Sequence, residues 1–79
     1  MAKKQRVYVD EVRLAASGGQ GTPFYFVRGF ESGATVTEDG LFITGQPGKN
    51  NGTLLRWSKS EAASAARELG LEVVPKPKA

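Results

Sequence analysis

The stretch "TLLRWSKSEAASAARELGLEVV" (Thr53–Val74) decides the fold class, because strand, helix and strand signals follow one another within it. Ser58 is a natural N-cap, and Glu61 three residues later completes a capping box. Trp57, just before the cap, is placed to fold against Ala62 as a hydrophobic staple. Gly70 supplies a left-handed C-cap, and Leu71 beyond it can touch back on the last turn. The spacing therefore predicts a helix over about residues 59–69. Its inward face, Ala62, Ala65, Ala66 and Leu69, is almost all methyl groups, so the helix must lie close against a sheet whose larger residues fill the core. Phe24, Phe26 and Trp57 are the residues expected to do that filling. "TLLRW" before the helix reads as a short strand, and "LEVV" after it as a short final one.

Upstream of this stretch the chain reads as strands. "QRVYVDEVRLAAS" (Gln5–Ser17) is rich in β-branched residues, with Val7 and Val9 on one parity and Val12 and Leu14 on the other. Bringing all four to one core requires a β-bulge near Asp10–Glu11. The competing reading is a short helix over residues 10–16, capped by Asp10 and ended by Gly18; Leu14 falls off its apolar stripe, which favours the strand. "SGGQGTP" is turn material, and "FYFVRGF" (Phe24–Phe30) has the strongest β-propensity in the chain, interrupted by Gly29. "ATVTEDGLFIT" (Ala34–Thr44) reads as a hairpin with Asp39–Gly40 as a two-residue turn. That turn pairs Val36 with Ile43 and Thr37 with Phe42, leaving Ala34, Val36, Leu41 and Ile43 on one face and Phe42 on the other.

The fold class that follows is α+β: an antiparallel meander of four to five strands, with one C-terminal helix packed on one face. One domain over residues 6–74 accounts for the pattern, flanked by a basic tail (1–5) and a Pro/Lys tail (75–79) in which Pro75 and Pro77 cannot donate to a ladder. At 79 residues the core is modest, with little more than ~60% of the chain's surface buried. With neither cysteine nor histidine, thiolate chemistry and the commonest general base and metal ligand are excluded. "MAKKQRVYVDEV" lacks the apolar run of a signal peptide, and no stretch approaches a bilayer span, so a soluble, cytoplasmic chain is expected.

The net charge of +3 belongs to the ends. Lys3, Lys4, Lys76 and Lys78 sit in the tails, and residues 5–75 hold seven basic against eight acidic residues. "TGQPGKNNGT" (Thr44–Thr53) resembles a phosphate cradle only from a distance. Gly45 to Gly48 is too short, Asn50 follows Lys49 where Ser or Thr is needed, Pro47 removes a donor, and a strand follows rather than a helix. The adjacent carboxylates Asp10–Glu11 and Glu38–Asp39 point to opposite faces of a strand and share neither proton nor metal. No catalytic constellation, cofactor, metal or small-molecule substrate is indicated.

The remaining signal is basic residues beside aromatics in "KKQRVY", "FYFVRGF" and "LLRWSK". On an open sheet face, Tyr8, Tyr25 and Phe42 would stack on bases, while Arg6, Arg28 and Arg56, with Lys49 and Asn50 from the loop, would meet phosphates. A nucleic-acid-binding module for single- or double-stranded DNA is thus the first expectation. The second is a protein-interaction or homodimerising accessory protein, of the kind phages and mobile elements carry, that uses the open face or an edge strand. No membrane partner is implied.

Overall fold

The computed structural model describes residues 5–15, 21–30, 33–45, 47–48 and 51–77, with the side chains of residues 14, 15 and 22 excepted. Of the turn expected over Ser17–Pro23, residues 17–20 lie outside the described residues, and Gly21, Thr22 and Pro23 are instead strand, paired with Ala15, Leu14 and Arg13. The elements are β1 (Arg6–Ala15), β2 (Gly21–Gly29), β3 (Thr35–Val36), β4 (Phe42–Ile43), α1 (Lys59–Glu68) and β5 (Glu72–Val73). They form one five-stranded sheet in the order β4-β3-β2-β1-β5 with the helix on one side, an α+β architecture.

The sheet is mixed, which corrects the expected antiparallel meander. β1 to β4 run antiparallel in sequence order, but β5 joins the far edge parallel to β1, pairing Glu72 with Arg6 and Val73 with Val7. The physical reason is the crossover: a chain that returns over one face through a helix re-enters the sheet parallel to its starting strand. Residues 53–57, expected as a strand, make instead two isolated bridges among the described residues, Thr37 to Thr53 and Tyr25 to Arg56. The Leu54 amide donates to the Val36 carbonyl at 2.9 Å, and Tyr25 and Arg56 exchange backbone bonds at 2.8 and 2.9 Å. This segment wedges between β2 and β3 where the two diverge.

β1 carries no bulge. Its nine pairs with β2 run without a break from Val7–Gly29 to Ala15–Gly21. Strict alternation then sends Val7 and Val9 to the helix side, and Val12, opposite Phe24, to the other. The helix-side core is Val7, Val27, Val36, Leu54, Ala66 and Leu71, with Ala65, Leu69 and Val73 against it. Ala62 and Ala66 are fully buried, so the methyl face packs as expected. The large residues filling opposite it are aliphatic, however: Phe24 and Phe26 alternate with Val27 and lie on the far side of the sheet.

The helix ends are built by their residues. Ser58 Oγ accepts from the Glu61 amide at 3.2 Å and donates to Glu61 Oε1 at 3.0 Å. At the other end, Gly70 (φ 83°) donates to the Arg67 carbonyl and Leu71 to the Ala66 carbonyl, a Schellman motif that tucks Leu71 into the core. Leu69 is the C-cap, one residue beyond the helix. The staple does not form as expected; Trp57 lies instead against Phe24, with ring centroids 4.7 Å apart.

The β3–β4 turn is also different. Thr37 and Leu41 close a three-residue loop, with the Thr37 amide bonded to the Leu41 carbonyl at 2.8 Å and the Leu41 amide donating to Thr37 Oγ1 at 3.0 Å. Gly40, at φ 84°, takes the left-handed position such a loop needs. The register consequently slips by one from the expected pairing: Val36 faces Phe42 and Thr35 faces Ile43. A one-residue slip exchanges the faces, so Phe42 shares the helix side with Val36.

Candidate functional site

Two surfaces merit a functional reading, and alternation assigns the candidate residues between them. The far face, away from α1, carries Arg6, Tyr8, Asp10 and Val12 from β1 and Phe24, Phe26 and Arg28 from β2. Of the expected binding set, Arg6, Tyr8 and Arg28 come together here. Tyr25 shares the parity of Val27 and faces the helix side, as do Arg56 opposite it and Phe42 opposite Val36. Lys49 and Asn50 lie outside the described residues. The expected platform of Tyr8, Tyr25 and Phe42 is therefore split across the sheet.

Nor is the far face open. Phe26 is 1% exposed and Phe24 8%, and Thr35, Thr37 and Thr53 are buried beside them. The Arg28 guanidinium lies over the Phe26 ring, 4.9 Å from its centroid, and donates to the Gly33 carbonyl at 3.1 Å. Arg6 lies 5.8 Å from the centroid of Phe30, which in turn meets Tyr8 edge-on at 4.9 Å. These cations cover aromatic rings and have less freedom to track a phosphate backbone. Replacing Arg28 with alanine should therefore lower stability by about 1–2 kcal/mol, read as a shift of the urea midpoint. A phosphate-tracking arginine would leave that midpoint unchanged.

Arg56 and Asp10 are paired as well. Arg56 grips Glu38 with two bonds, Nη1 to Oε2 at 2.8 Å and Nη2 to Oε1 at 3.1 Å. This bond holds the Glu38 carboxyl below its ordinary range and raises the guanidinium's affinity for its proton. Asp10 gathers three partners: Lys76 Nζ at 2.6 Å, the Glu11 amide at 2.9 Å and Arg28 Nε at 3.7 Å. Burial alone would raise the Asp10 carboxyl, but these bonds and charges outweigh it and hold it low. Both carboxylates thus stabilise the fold above their ordinary values of 3.8 and 4.5, and that contribution is lost as pH falls through the lower folded values. Urea midpoints should hold from pH 7 to about 5 and fall below about pH 4, with Asp10→Asn flattening part of the acid limb.

The second surface is the outer edge of β1. In a strand, the N–H and C=O of alternate residues point to opposite sides. Arg6 turns toward β2, since its carbonyl accepts from the Phe30 amide, while Gln5 and Val7 turn outward and accept from Glu72 and Val74. By the same alternation Val9, Glu11, Arg13 and Ala15 present their backbone groups outward. Among the described residues, the last backbone bond on that edge is Val74 to Val7. Pro75 and Pro77 carry no donor to extend it. Between the edge and the departing tail lies a groove of about 270 Å³, lined by Val9, Glu11, Val74, Pro75, Lys76 and Lys59 among others. Trp57, 67% exposed on the far face, is the most exposed large apolar residue among the described residues.

Comparison with protein-family models, with curated proteins and with solved structures returned no match. The functional reading rests on geometry. No helix among the described residues is long and apolar enough to cross a membrane.

Several of these features escape the sequence reading. Phe30, Asp10 and Lys76 complete the far-face network, and Trp57 its exposed corner. Unbroken alternation along Arg6–Val12, once the bulge is dropped, places Asp10 on this face; Phe30, Lys76 and Trp57 lie outside that strand and carry no such signal.

Proposed function

We propose that this chain is a non-catalytic protein-interaction module that engages its partner by strand addition along the outer edge of β1. One observation carries the reading: β1 is fully laddered to β2 on its inner side, yet from Val9 to Ala15 its outer backbone groups have no backbone partner among the described residues, the Glu11 amide alone being held by the neighbouring Asp10 carboxylate. Such an edge is a template for another strand, and proteins that do not use one commonly shorten, bulge or cover it. Here the edge is long and regular. The exposed Trp57 beside Phe24 adds an aromatic anchor of the type that dominates protein interfaces.

Nucleic-acid binding is the second reading, favoured by a sequence pI of 9.5 and the basic ends. A titration with single- and double-stranded DNA at about 50 and 500 mM salt, together with the solution mass over a concentration series at both salts, separates the two. Strand addition expects no DNA response and a mass increase that survives the higher salt. A one-chain mass throughout, with DNA affinity falling steeply in salt, would replace the first reading by the second.

A further inference from the structure

We infer that the strand received by β1 is β1 of a second copy, paired antiparallel about a two-fold axis through Val12. The inference rests on the strand-addition reading and names its partner.

Two independent features select the same register. The first is length. The free edge begins at Val9, just past the last bond from the C-terminal segment at Val7, and runs to Ala15, the last described residue of β1. Its midpoint is Val12. A two-fold axis there pairs Val9 with Ala15 of the second copy and uses the whole free edge. The partner strand then stops where β5 takes over the edge, and its end falls at the mouth of the groove beside Val9.

The second feature is charge. Antiparallel pairing must match outward-pointing residues, so the axis can pass through Glu11, Val12 or Arg13. An axis at Glu11 opposes two carboxylates, and one at Arg13 opposes two guanidinium groups; like charges directly opposite destabilise a sheet. The axis at Val12 sets Glu11 of each copy opposite Arg13 of the other, two opposite-charge pairs related by symmetry. In the single chain these two side chains are exposed, 41% for Glu11 and 66% for Arg13, and lie 3.6 Å apart on one face. They are therefore free to exchange partners across the axis.

The same register places Val12 against Val12 of the second copy at the close-approaching, non-hydrogen-bonded position. Because Val12 sits opposite Phe24, the two far faces merge into an apolar band from Phe24 through both valines to the second Phe24, with a Trp57 ring against each phenylalanine. The assembly is closed and isologous, the commonest symmetry of small homo-oligomers.

Charge exchange tests the register. E11R and R13E, both at exposed positions, should keep the far-ultraviolet circular dichroism spectrum and each remain a single 8.4 kDa chain at concentrations where the wild type doubles its mass. Self-affinity should fall by about tenfold or more, since two attractive pairs become repulsive. An equimolar mixture of E11R and R13E should associate again, and the double variant E11R/R13E should associate like the wild type. Wild-type association unchanged in both single variants, or a mixture that stays apart, overturns this register while leaving a protein interface elsewhere. A wild type that keeps a one-chain mass to about millimolar concentration overturns self-pairing outright.

Discussion

Replacing Phe26 by alanine is expected to cost about 3–5 kcal/mol, the usual loss for a buried phenylalanine. A chain of 79 residues has about 4–12 kcal/mol of total stability, so the loss removes between about a quarter of it and all of it, read as a fall in the urea midpoint. The size of the effect follows from the far face being a second packed layer. Phe26 is 1% exposed on the side of the sheet that α1 does not reach. Arg28 over its ring is part of what excludes water. The two losses should therefore be non-additive: in the Phe26→Ala background, removing Arg28 should cost little, because the ring it covers is gone. A loss for Phe26→Ala below about 1 kcal/mol would mean that the far face is open and available for stacking.

The second large effect is expected at Leu54. It is 1% exposed, its amide donates to the Val36 carbonyl, and its side chain belongs to the helix-side core. Leu54→Ala should cost about 2–5 kcal/mol, measured by urea or thermal unfolding. Among the described residues the segment carrying Leu54 bridges the sheet at Thr37–Thr53 and Tyr25–Arg56, and this side chain adds its anchor in the core. Amides on both sides of the wedge, Tyr25 and Arg56 among them, should lose hydrogen-exchange protection together in the variant. Loss of protection confined to α1 would show that the wedge is held by something else.

These two positions also show what is legible in the residues and what is not. Ser58, Glu61, Gly70 and Leu71 build the helix ends by local chemistry, so the helix and its methyl face are readable directly. The existence of strands is readable from β-branched and aromatic runs. Face assignment is not, because it depends on register, and register depends on turns. In "TEDG" the Asp-Gly pair invites a two-residue turn, but Thr37 Oγ1 accepts the Leu41 amide and closes a three-residue loop. That single residue moves Phe42 to the other face. The supposed bulge in β1 has a similar origin. It arises from asking four apolar residues to serve one core, whereas the sheet packs residues on both faces. The parallel entry of β5 depends on the path of the crossover, which no local pattern specifies.

Of the candidate site, the residue types are legible and their company is not. Arg6, Tyr8 and Arg28 do share a face, but alternation and pairing give Arg28 to Phe26 and Asp10, and Arg56 to Glu38. What remains unspent among the described residues is backbone: the outward edge of Val9–Ala15, apart from the Glu11 amide that Asp10 holds. A backbone edge has no composition signature, which is why reading side chains for chemistry leads toward nucleic acid and the geometry leads toward a strand.

Amide hydrogen exchange along β1, measured over a concentration series, reads whether this edge receives a partner strand. In the dilute chain Asp10 and Val12, turned toward β2, should be protected, while the outward amides of Val9 and Arg13 exchange fast; the Glu11 amide, held by the Asp10 carboxylate, is not a reporter. As the solution mass rises, Val9 and Arg13 should become protected and the alternation should disappear. Val9 and Arg13 amides that stay fast while the mass rises would show that no strand is received on this edge.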